Sequence, residues 1–212
     1  PASLSLSQGQ LSLAQEGQTV SVPLEDIDSV VLDSCHTQVS GQLLSAWAHH
    51  QAAVFICDDK HLPIGVLQPF NSHHRMLKVM RRQLVLGKPL KKQLWQSLVR
   101  AKVSNQAQTL YDFHEHGAAR LLNQFIKKIR SGDPENIEAQ AAAAYFRALF
   151  GPQFGRRKNL WCNAALNYAY SLIRGLLARS LCAADYQPAL GLGHDNEQNA
   201  FNLADDLLEP WR

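Results

Sequence analysis

The residues best suited to chemistry in this sequence are two glutamates and one histidine that lie far apart along the chain. Glu138 belongs to an alanine-rich run, His194 ends the run Leu-Gly-Leu-Gly-His, and Glu209 precedes Pro-Trp-Arg. Two carboxylates and an imidazole form a donor set for a divalent cation, and such a cation beside a basic surface indicates chemistry on a phosphodiester. The imidazole favours Mn²⁺ over the strictly oxygen-seeking Mg²⁺, and zinc is less favoured because no cysteine joins the set.

Each of these residues also has a simpler interpretation. Glu138 could be a surface glutamate near a helix N-terminus, where the helix dipole favours negative charge. His194 could be a loop histidine without a partner. Asp205, Asp206 and Glu209 share one face of a predicted helix. Either these carboxylates are solvated, or a bound cation offsets the repulsion between them. Taken singly, these positions leave both interpretations open.

Basic residues dominate one part of the chain. Residues 1–70 carry one base against seven acids, whereas residues 71–212 carry twenty bases against eleven acids. This asymmetry indicates that the second part meets a polyanion, and we interpret that polyanion as nucleic acid. The candidate phosphate-binding side chains are Arg75, Lys78, Arg81 and Arg82 on one predicted helix, and Arg156, Arg157 and Lys158 in a loop.

Composition also limits the class of protein. No apolar run approaches the roughly 18 residues needed to span a bilayer, and the first residues lack the pattern of a signal peptide. The four cysteines are scattered without a C-x-x-C pair. Reduced thiols in a cytoplasmic protein are therefore expected, rather than disulfides or a zinc site.

Two patterns of periodicity divide the chain. Residues 1–70 alternate apolar and polar side chains in short runs separated by Gly-containing turns, which predicts strands, with one short helix from Gly41. Helices are predicted from Ser72 onward, and the helix that carries Glu138 is predicted to be capped by Asp133 with Pro134 in its first turn. The expected fold class is α+β: a small N-terminal β-rich domain (1–70), then a larger all-α domain (71–212), with the boundary at Pro69–Asn71.

Five segments, in their order and spacing, resemble the CRISPR-associated endonuclease/integrase family, with a leaning towards the form found in type II systems. They are Val22-Pro-Leu-Glu-Asp-Ile-Asp-Ser-Val-Val-Leu, Asn136-Ile-Glu-Ala-Gln-Ala-Ala-Ala-Ala-Tyr-Phe, Leu190-Gly-Leu-Gly-His and Asp206-Leu-Leu-Glu-Pro-Trp-Arg, with Asn163-Ala-Ala-Leu-Asn-Tyr-Ala-Tyr between the second and third. The family usually continues for several tens of residues past the position of Glu209, so the catalytic domain is expected to be truncated here.

The resemblance implies an activity and a set of partners. It implies that Glu138, His194 and Glu209 are catalytic residues that bind Mn²⁺ or Mg²⁺, with Asp206 as a supporting acid. The implied reaction joins the 3′-hydroxyl ends of prespacer DNA to the CRISPR repeat by transesterification. The implied partners are that DNA, a second copy bound through the β-rich domain, a small ferredoxin-like companion subunit and a type II effector nuclease, in a prokaryotic cytoplasm.

Two other functions remain as alternatives at this stage. A metal-dependent nuclease that acts on branched DNA would use the same residues with water as the nucleophile. A non-catalytic DNA-binding scaffold would use the basic residues and need no metal. A strand-transfer assay separates the three.

Overall fold

The computed structural model describes residues 2–59, 61, 63–67 and 76–212. Within these residues the first part of the chain forms strands and the second part forms helices. The elements are β1 Ser3–Ser7, β2 Gln10–Gln15, β3 Gln18–Pro23, β4 Ser29–Leu32, β5 Gln38–Val39, α1 Gly41–His49, β6 Ala53–Cys57, β7 Pro63–Leu67, α2 Met76–Leu84, α3 Lys88–Asp112, α4 His116–Lys128, α5 Ile137–Phe150, α6 Trp161–Ala183 and α7 Asn202–Leu208. This order agrees with the predicted β-rich part followed by a helical part.

The strands described in the structure form two sheets. One has the order β3-β2-β1-β5 and the other β4-β6-β7. The antiparallel hairpins β1–β2 and β2–β3 turn at the predicted Gly-containing sites, where Gln8-Gly9 and Glu16-Gly17 have positive φ. Helix α1, capped by the Ser40 hydroxyl, buries Trp47 against apolar residues of the strands. The two-residue strand β5 was not predicted, since so short a run shows no alternation.

Contacts divide the chain into two compact units. Unit 1 comprises Pro1–Met76 and Ser171–Tyr186, and unit 2 comprises Leu77–Tyr170 and Gln187–Arg212. Helix α6 thus contributes its first part to unit 2 and its second part to unit 1. In unit 1, Arg179 donates to the Gln51 carbonyl (2.5 Å) and to Asp28 (3.2 Å), which ties α6 to the β-rich segment. A single division near residue 70 does not describe this arrangement, and Pro69–Asn71 itself lies outside the described residues.

The start of α5 differs from the predicted one. The prediction placed Asp133 at the N-cap and Pro134 in the first turn, whereas the helix begins at Ile137 after Asn136 in the left-handed conformation (φ 50). Asp133, also at positive φ, still accepts the first free amides of the helix from a turn earlier. The predicted cap at Ser72 lies outside the described residues, which resume at Met76.

The core of unit 2 forms where α3, α4 and α5 pack together. The long helix α3 supplies Val99, Val103 and Leu110, each fully buried, and α4 and α5 supply Leu122 and Ala141. Among the described residues, no helix is both long enough and apolar enough to cross a membrane. The four cysteines are free thiols: Cys57 is buried, Cys162 and Cys182 are partly buried, and Cys35 is exposed.

Candidate active site

A lysine interrupts the apolar face of α3. Val99, Val103 and Leu110 lie on this face at helical spacing, and Lys102 and Gln106 lie among them, 4% and 2% exposed. A lysine is almost never fully buried unless its charge is paired. Its partners therefore locate the charged centre of unit 2.

Those partners are two of the three residues predicted for the metal site. The Lys102 ammonium donates to Glu138 Oε1 and to Glu209 Oε2, the latter at 2.5 Å. The other Glu209 oxygen accepts from Arg212 at 2.8 Å. Glu138 and Glu209, which lie 71 positions apart in the sequence, therefore accept hydrogen bonds from the same ammonium group. We had not predicted this role for Lys102 or Arg212.

The start of α5 fixes Glu138. Asp133 accepts from the backbone N–H groups of Ile137 and Glu138, at 3.0 and 2.9 Å, and so anchors the first turn. Glu138 is the second residue of the helix, where the dipole favours a carboxylate. Its side chain is 26% exposed, compared with 3% for Glu209. Glu138 is thus the carboxylate that reaches solvent.

Asp206 organises the loop that carries His194. Its side chain is fully buried in α7 and accepts from the backbone N–H groups of Leu192, Gly193 and His194. The same carboxylate contacts His194 Nδ1 at 2.7 Å. Because Nδ1 faces Asp206, Nε2 is the ring nitrogen that remains for a ligand. The predicted supporting acid thus fixes both the backbone and the ring of His194.

The two glycines of this loop are required by close packing. A Cβ on Gly191 would overlap the backbone oxygen of His194, and a Cβ on Gly193 would overlap the Trp95 ring. Trp95 packs edge-on against the His194 imidazole with ring centroids 5.5 Å apart, and Lys91 donates to the Gly191 carbonyl at 3.1 Å. These contacts fix the loop that carries His194.

The electrostatics of the site favour cations. Four carboxylates (Glu138, Asp205, Asp206 and Glu209) meet two basic side chains (Lys102 and Arg212). With a neutral histidine, two negative charges remain in excess. The hydrogen bond with Asp206 raises the pKa of His194 despite partial burial, and the charges of Asp206, Glu209 and Asp205 act in the same direction. The acidic face of α7 is therefore buried and paired rather than solvated.

These donors fit a divalent metal in type and charge. An imidazole that donates through its second nitrogen to a carboxylate is the usual arrangement of a metal-bound histidine. Within the described part of the chain, however, no three His, Cys, Asp or Glu side chains are disposed to hold a metal together. The two glutamates instead share the ammonium of Lys102. Glu138, His194 and Glu209 would hold the metal, and Lys102 is the cation that contacts two of them.

The predicted phosphate-binding residues differ in their exposure and in their hydrogen bonds to the rest of the protein. Lys78, Arg81 and Arg82 are exposed on α2, and Arg157 is exposed in the loop before α6. The Arg156 guanidinium, by contrast, donates to the side chains of Asn163 and Asn167 at 2.7 and 2.9 Å. Lys158 donates to the Gln153 carbonyl at 2.6 Å. Arg75 lies outside the described residues.

The ring of Tyr170 lies near Arg156 of the loop before α6 and near Arg212, which donates to Glu209. The Tyr170 ring has the guanidinium carbons of Arg156 and Arg212 each 5.7 Å from its centroid. Burial raises the pKa of Tyr170, while the two arginines oppose the shift. Asn163 and Asn167, which accept from Arg156, both lie in α6. The contacts of Arg156 show that both asparagines hold the loop against α6.

Comparison with known proteins places the chain in a family. The family model described as CRISPR associated protein Cas1 matches residues 1–212. The chain is 47% identical to the CRISPR-associated endonuclease Cas1 of Neisseria meningitidis, covering 99% of this chain and 69% of that protein. It is 25% identical to a Pyrobaculum aerophilum CRISPR-associated endonuclease, Cas1 2, over 90% of this chain and 69% of that protein.

Solved structures show the same fold at low sequence identity. A casposase bound to integration product matches with a TM-score of 0.78 and 16% identity, over 99% of this chain and 67% of that one. A Cas1 protein from Thermotoga maritima matches with a TM-score of 0.77 and 15% identity, over 98% of this chain and 72% of that one. Fold and sequence agree, and the resemblance found in the five segments is confirmed: the chain belongs to the Cas1 family of CRISPR-associated endonucleases.

Proposed function

We propose that this chain is a metal-dependent DNA integrase of CRISPR adaptation, which joins prespacer 3′-hydroxyl ends to the CRISPR repeat by transesterification. One observation supports this most directly. Glu138 and Glu209 converge on a single cation, in the same unit as a histidine that is oriented by a buried aspartate. Such a set is arranged for a positive charge, as phosphodiester chemistry requires.

The protein side chains have separate roles in this proposal. Glu138, His194 and Glu209 hold Mn²⁺ or Mg²⁺, which when bound stabilises the negative charge that develops on the phosphate. Asp206 keeps His194 in the orientation that presents Nε2. Arg212 holds the second oxygen of Glu209, so that carboxylate cannot rotate freely. The exposed edge of Glu138 is the side from which DNA reaches the site.

The proposal includes DNA as the substrate and a companion subunit. The exposed Lys78, Arg81 and Arg82 of α2, with Arg157, are proposed to contact phosphates of the prespacer duplex or the repeat. Arg156 is proposed to act indirectly, by holding its loop. Solved relatives with the same fold include a casposase bound to integration product and a Cas6-RT-Cas1–Cas2 complex, the latter with a TM-score of 0.76. These complexes support DNA and a companion subunit as partners.

Other partners follow from the family and from charge. We propose a homodimer formed through the acidic β-rich segment, whose excess of carboxylates suits protein contact better than DNA contact. We also propose association with a type II effector nuclease, and action in the prokaryotic cytoplasm.

The test is a strand-transfer assay with Mn²⁺ and the companion subunit. A labelled duplex with free 3′-hydroxyls is offered to a supercoiled plasmid that carries a CRISPR array. We expect label to enter the plasmid with the wild-type chain and to be lost with Glu138→Gln. The matched control is Glu135→Gln, an exposed glutamate in the turn before α5 that should retain full transfer.

Three outcomes separate the alternative functions. Nicking of the plasmid without label entry, and without need for a 3′-hydroxyl, would favour the nuclease. Salt-dependent DNA binding that is unchanged by metal and by His194→Ala, with neither cutting nor joining, would favour the scaffold. Equal label entry with Glu138→Gln and the wild-type chain would remove Glu138 from the reaction.

A further inference from the structure

The cation at the centre of the candidate site belongs to the protein itself. Lys102 lies in the middle of α3 and is 4% exposed, and its ammonium contacts both Glu138 and Glu209. Both are residues that we propose as metal ligands. A divalent ion held by these two carboxylates would therefore meet the ammonium group at close range.

Electrostatics make joint occupation by both cations unfavourable. Two positive groups a few ångströms apart repel strongly in a protein interior, where water does not screen them. Without any cation, the two carboxylates would repel one another for the same reason. The site therefore requires one cation at this position, and Lys102 supplies it when no metal is bound.

We propose that Lys102 is a resident cation that competes with the divalent metal, so that metal binding requires its ammonium to leave Glu138 and Glu209. This inference rests on the proposed metal centre. It makes Lys102 a residue that sets the metal concentration at which the site becomes occupied. In this view Lys102 is a positioning residue of the metal-free state.

The surroundings provide for this exchange. Gln106 lies one turn further along the same face of α3, and its buried Oε1 has no hydrogen-bond partner among the described residues. Side chains four positions apart on a helix are neighbours, so this oxygen is an acceptor within reach of a displaced ammonium. Glu209 keeps its bond to Arg212 when Lys102 leaves. Glu138, the more exposed carboxylate, gives an incoming ion access.

The test measures metal affinity rather than activity. Mn²⁺ is titrated into the whole chain, and the free ion is followed by electron paramagnetic resonance. Lys102→Met, which keeps the length of the side chain and removes its charge, should bind Mn²⁺ at least about tenfold more tightly than the wild type. Lys102→Arg should stay close to the wild type. Lys88→Met, an equal charge loss at the exposed start of α3, should leave the affinity unchanged.

A second variant covers the case in which Lys102→Met fails to fold. Lys102→Gln is another neutral replacement, with the same expected gain in affinity.

The opposite results would overturn the proposal. Mn²⁺ affinity that falls or stays equal in both neutral variants means that Lys102 does not compete with the metal. If Glu138→Gln abolishes Mn²⁺ binding while the Lys102 variants leave it unaltered, the metal centre stands and the exchange fails. If neither the wild type nor any Lys102 variant binds Mn²⁺, the metal centre fails as well.

Discussion

At the scale of single residues, Asp206 is the side chain that fixes the loop that carries His194. It lies fully buried, and its two oxygens receive three backbone amides and the His194 ring. The position of the histidine therefore depends on a residue twelve positions later. A change at Asp206 should act on stability and on ligand binding together.

We expect Asp206→Asn to lower the free energy of unfolding by about 1–3 kcal/mol, because the amide nitrogen would leave at least one buried N–H without an acceptor. Mn²⁺ affinity should fall by about 10- to 100-fold as His194 loses its orienting carboxylate. Urea unfolding and metal titration measure the two effects. Asp195→Asn, at an exposed neighbouring position, serves as the control. Equal unfolding curves for the two variants would contradict this role of Asp206.

Tyr145 predicts a dependence of stability on alkaline pH. Burial raises the pKa of its phenol, and a hydrogen bond with Thr109 opposes the shift. Because the folded-state pKa exceeds the unfolded value of about 10, the stabilisation is complete below that value. It is lost as the pH rises through the folded-state pKa.

Tyr145→Phe cannot ionise, so it should lose less stability than the wild type between about pH 8 and about pH 11. At pH 8 it should be about 1 kcal/mol less stable, since the hydrogen bond with Thr109 is gone. Thermal unfolding followed by circular dichroism gives both comparisons. Tyr111→Phe, at a ring that is 59% exposed, should follow the wild type. An identical alkaline loss in Tyr145→Phe would contradict the assignment.

At the scale of elements, the beginning of α5 decides where Glu138 lies. The two carboxylate oxygens of Asp133 hold the amides of Ile137 and Glu138 across a turn in which Asp133 and Asn136 both have positive φ. Such conformations persist where the surrounding contacts enforce them. The cap therefore fixes the helix and a proposed metal ligand at once.

Removing this cap by Asp133→Ala should lower the free energy of unfolding by about 0.5–2 kcal/mol, the usual range for a lost N-terminal cap. It should also weaken Mn²⁺ binding, because the first turn that carries Glu138 frays. Glu135→Ala, on an exposed side chain of the same turn, is the control for both measurements. A stability loss without any change in Mn²⁺ affinity would show that Glu138 is placed by other contacts.

Periodicity predicted the helices better than it predicted their burial. The spacing of Asp205, Asp206 and Glu209 on one face was predictable, but their burial depends on Lys102 and Arg212, which no local pattern connects to them. One signal was available: Lys102 lies in the apolar stripe of Val99, Val103 and Leu110, where an unpaired lysine would be costly. The contact between His194 and Asp206 likewise depends on tertiary structure, although two of the five family segments contain these residues.

At the scale of the whole molecule, the division of charge predicts how the chain binds DNA. The bases of α2 are exposed, and the helix has no fully buried residue. Each phosphate contact releases counterions, which makes the affinity depend on salt. The contribution of α2 can therefore be measured as the slope of the logarithm of DNA affinity against the logarithm of salt concentration.

Replacing Lys78, Arg81 and Arg82 together by alanine should weaken duplex binding and reduce the salt slope by up to about 2.7, since each contact contributes about 0.9. Replacing Lys127, Lys128 and Arg130 removes the same charge from the end of α4 and controls for net charge. Fluorescence anisotropy over a range of salt concentrations provides both slopes. Equal reductions in the two variants would assign the effect to overall charge rather than to α2.

Family and fold class were predictable from the sequence alone, whereas the path of the chain between the two units was not. The strands and helices follow from alternating and helical spacing, and the five segments identify the family. That Ser171–Tyr186 groups with the strands depends on Gly175, where a Cβ would overlap the Phe55 ring. A single glycine in a helix is too common to reveal such an approach.

The discontinuous composition of unit 1 has a consequence for synthesis on the ribosome. Pro1–Met76 emerges first, but Ser171–Tyr186 follows only after all of Leu77–Tyr170 has been made. At roughly 5–20 residues per second, the strands wait on the order of 5–20 s for the helix segment that covers Phe55. During that interval an apolar face of the nascent chain stays open to chaperones. Completion of the second part of α6 is therefore the event that completes unit 1.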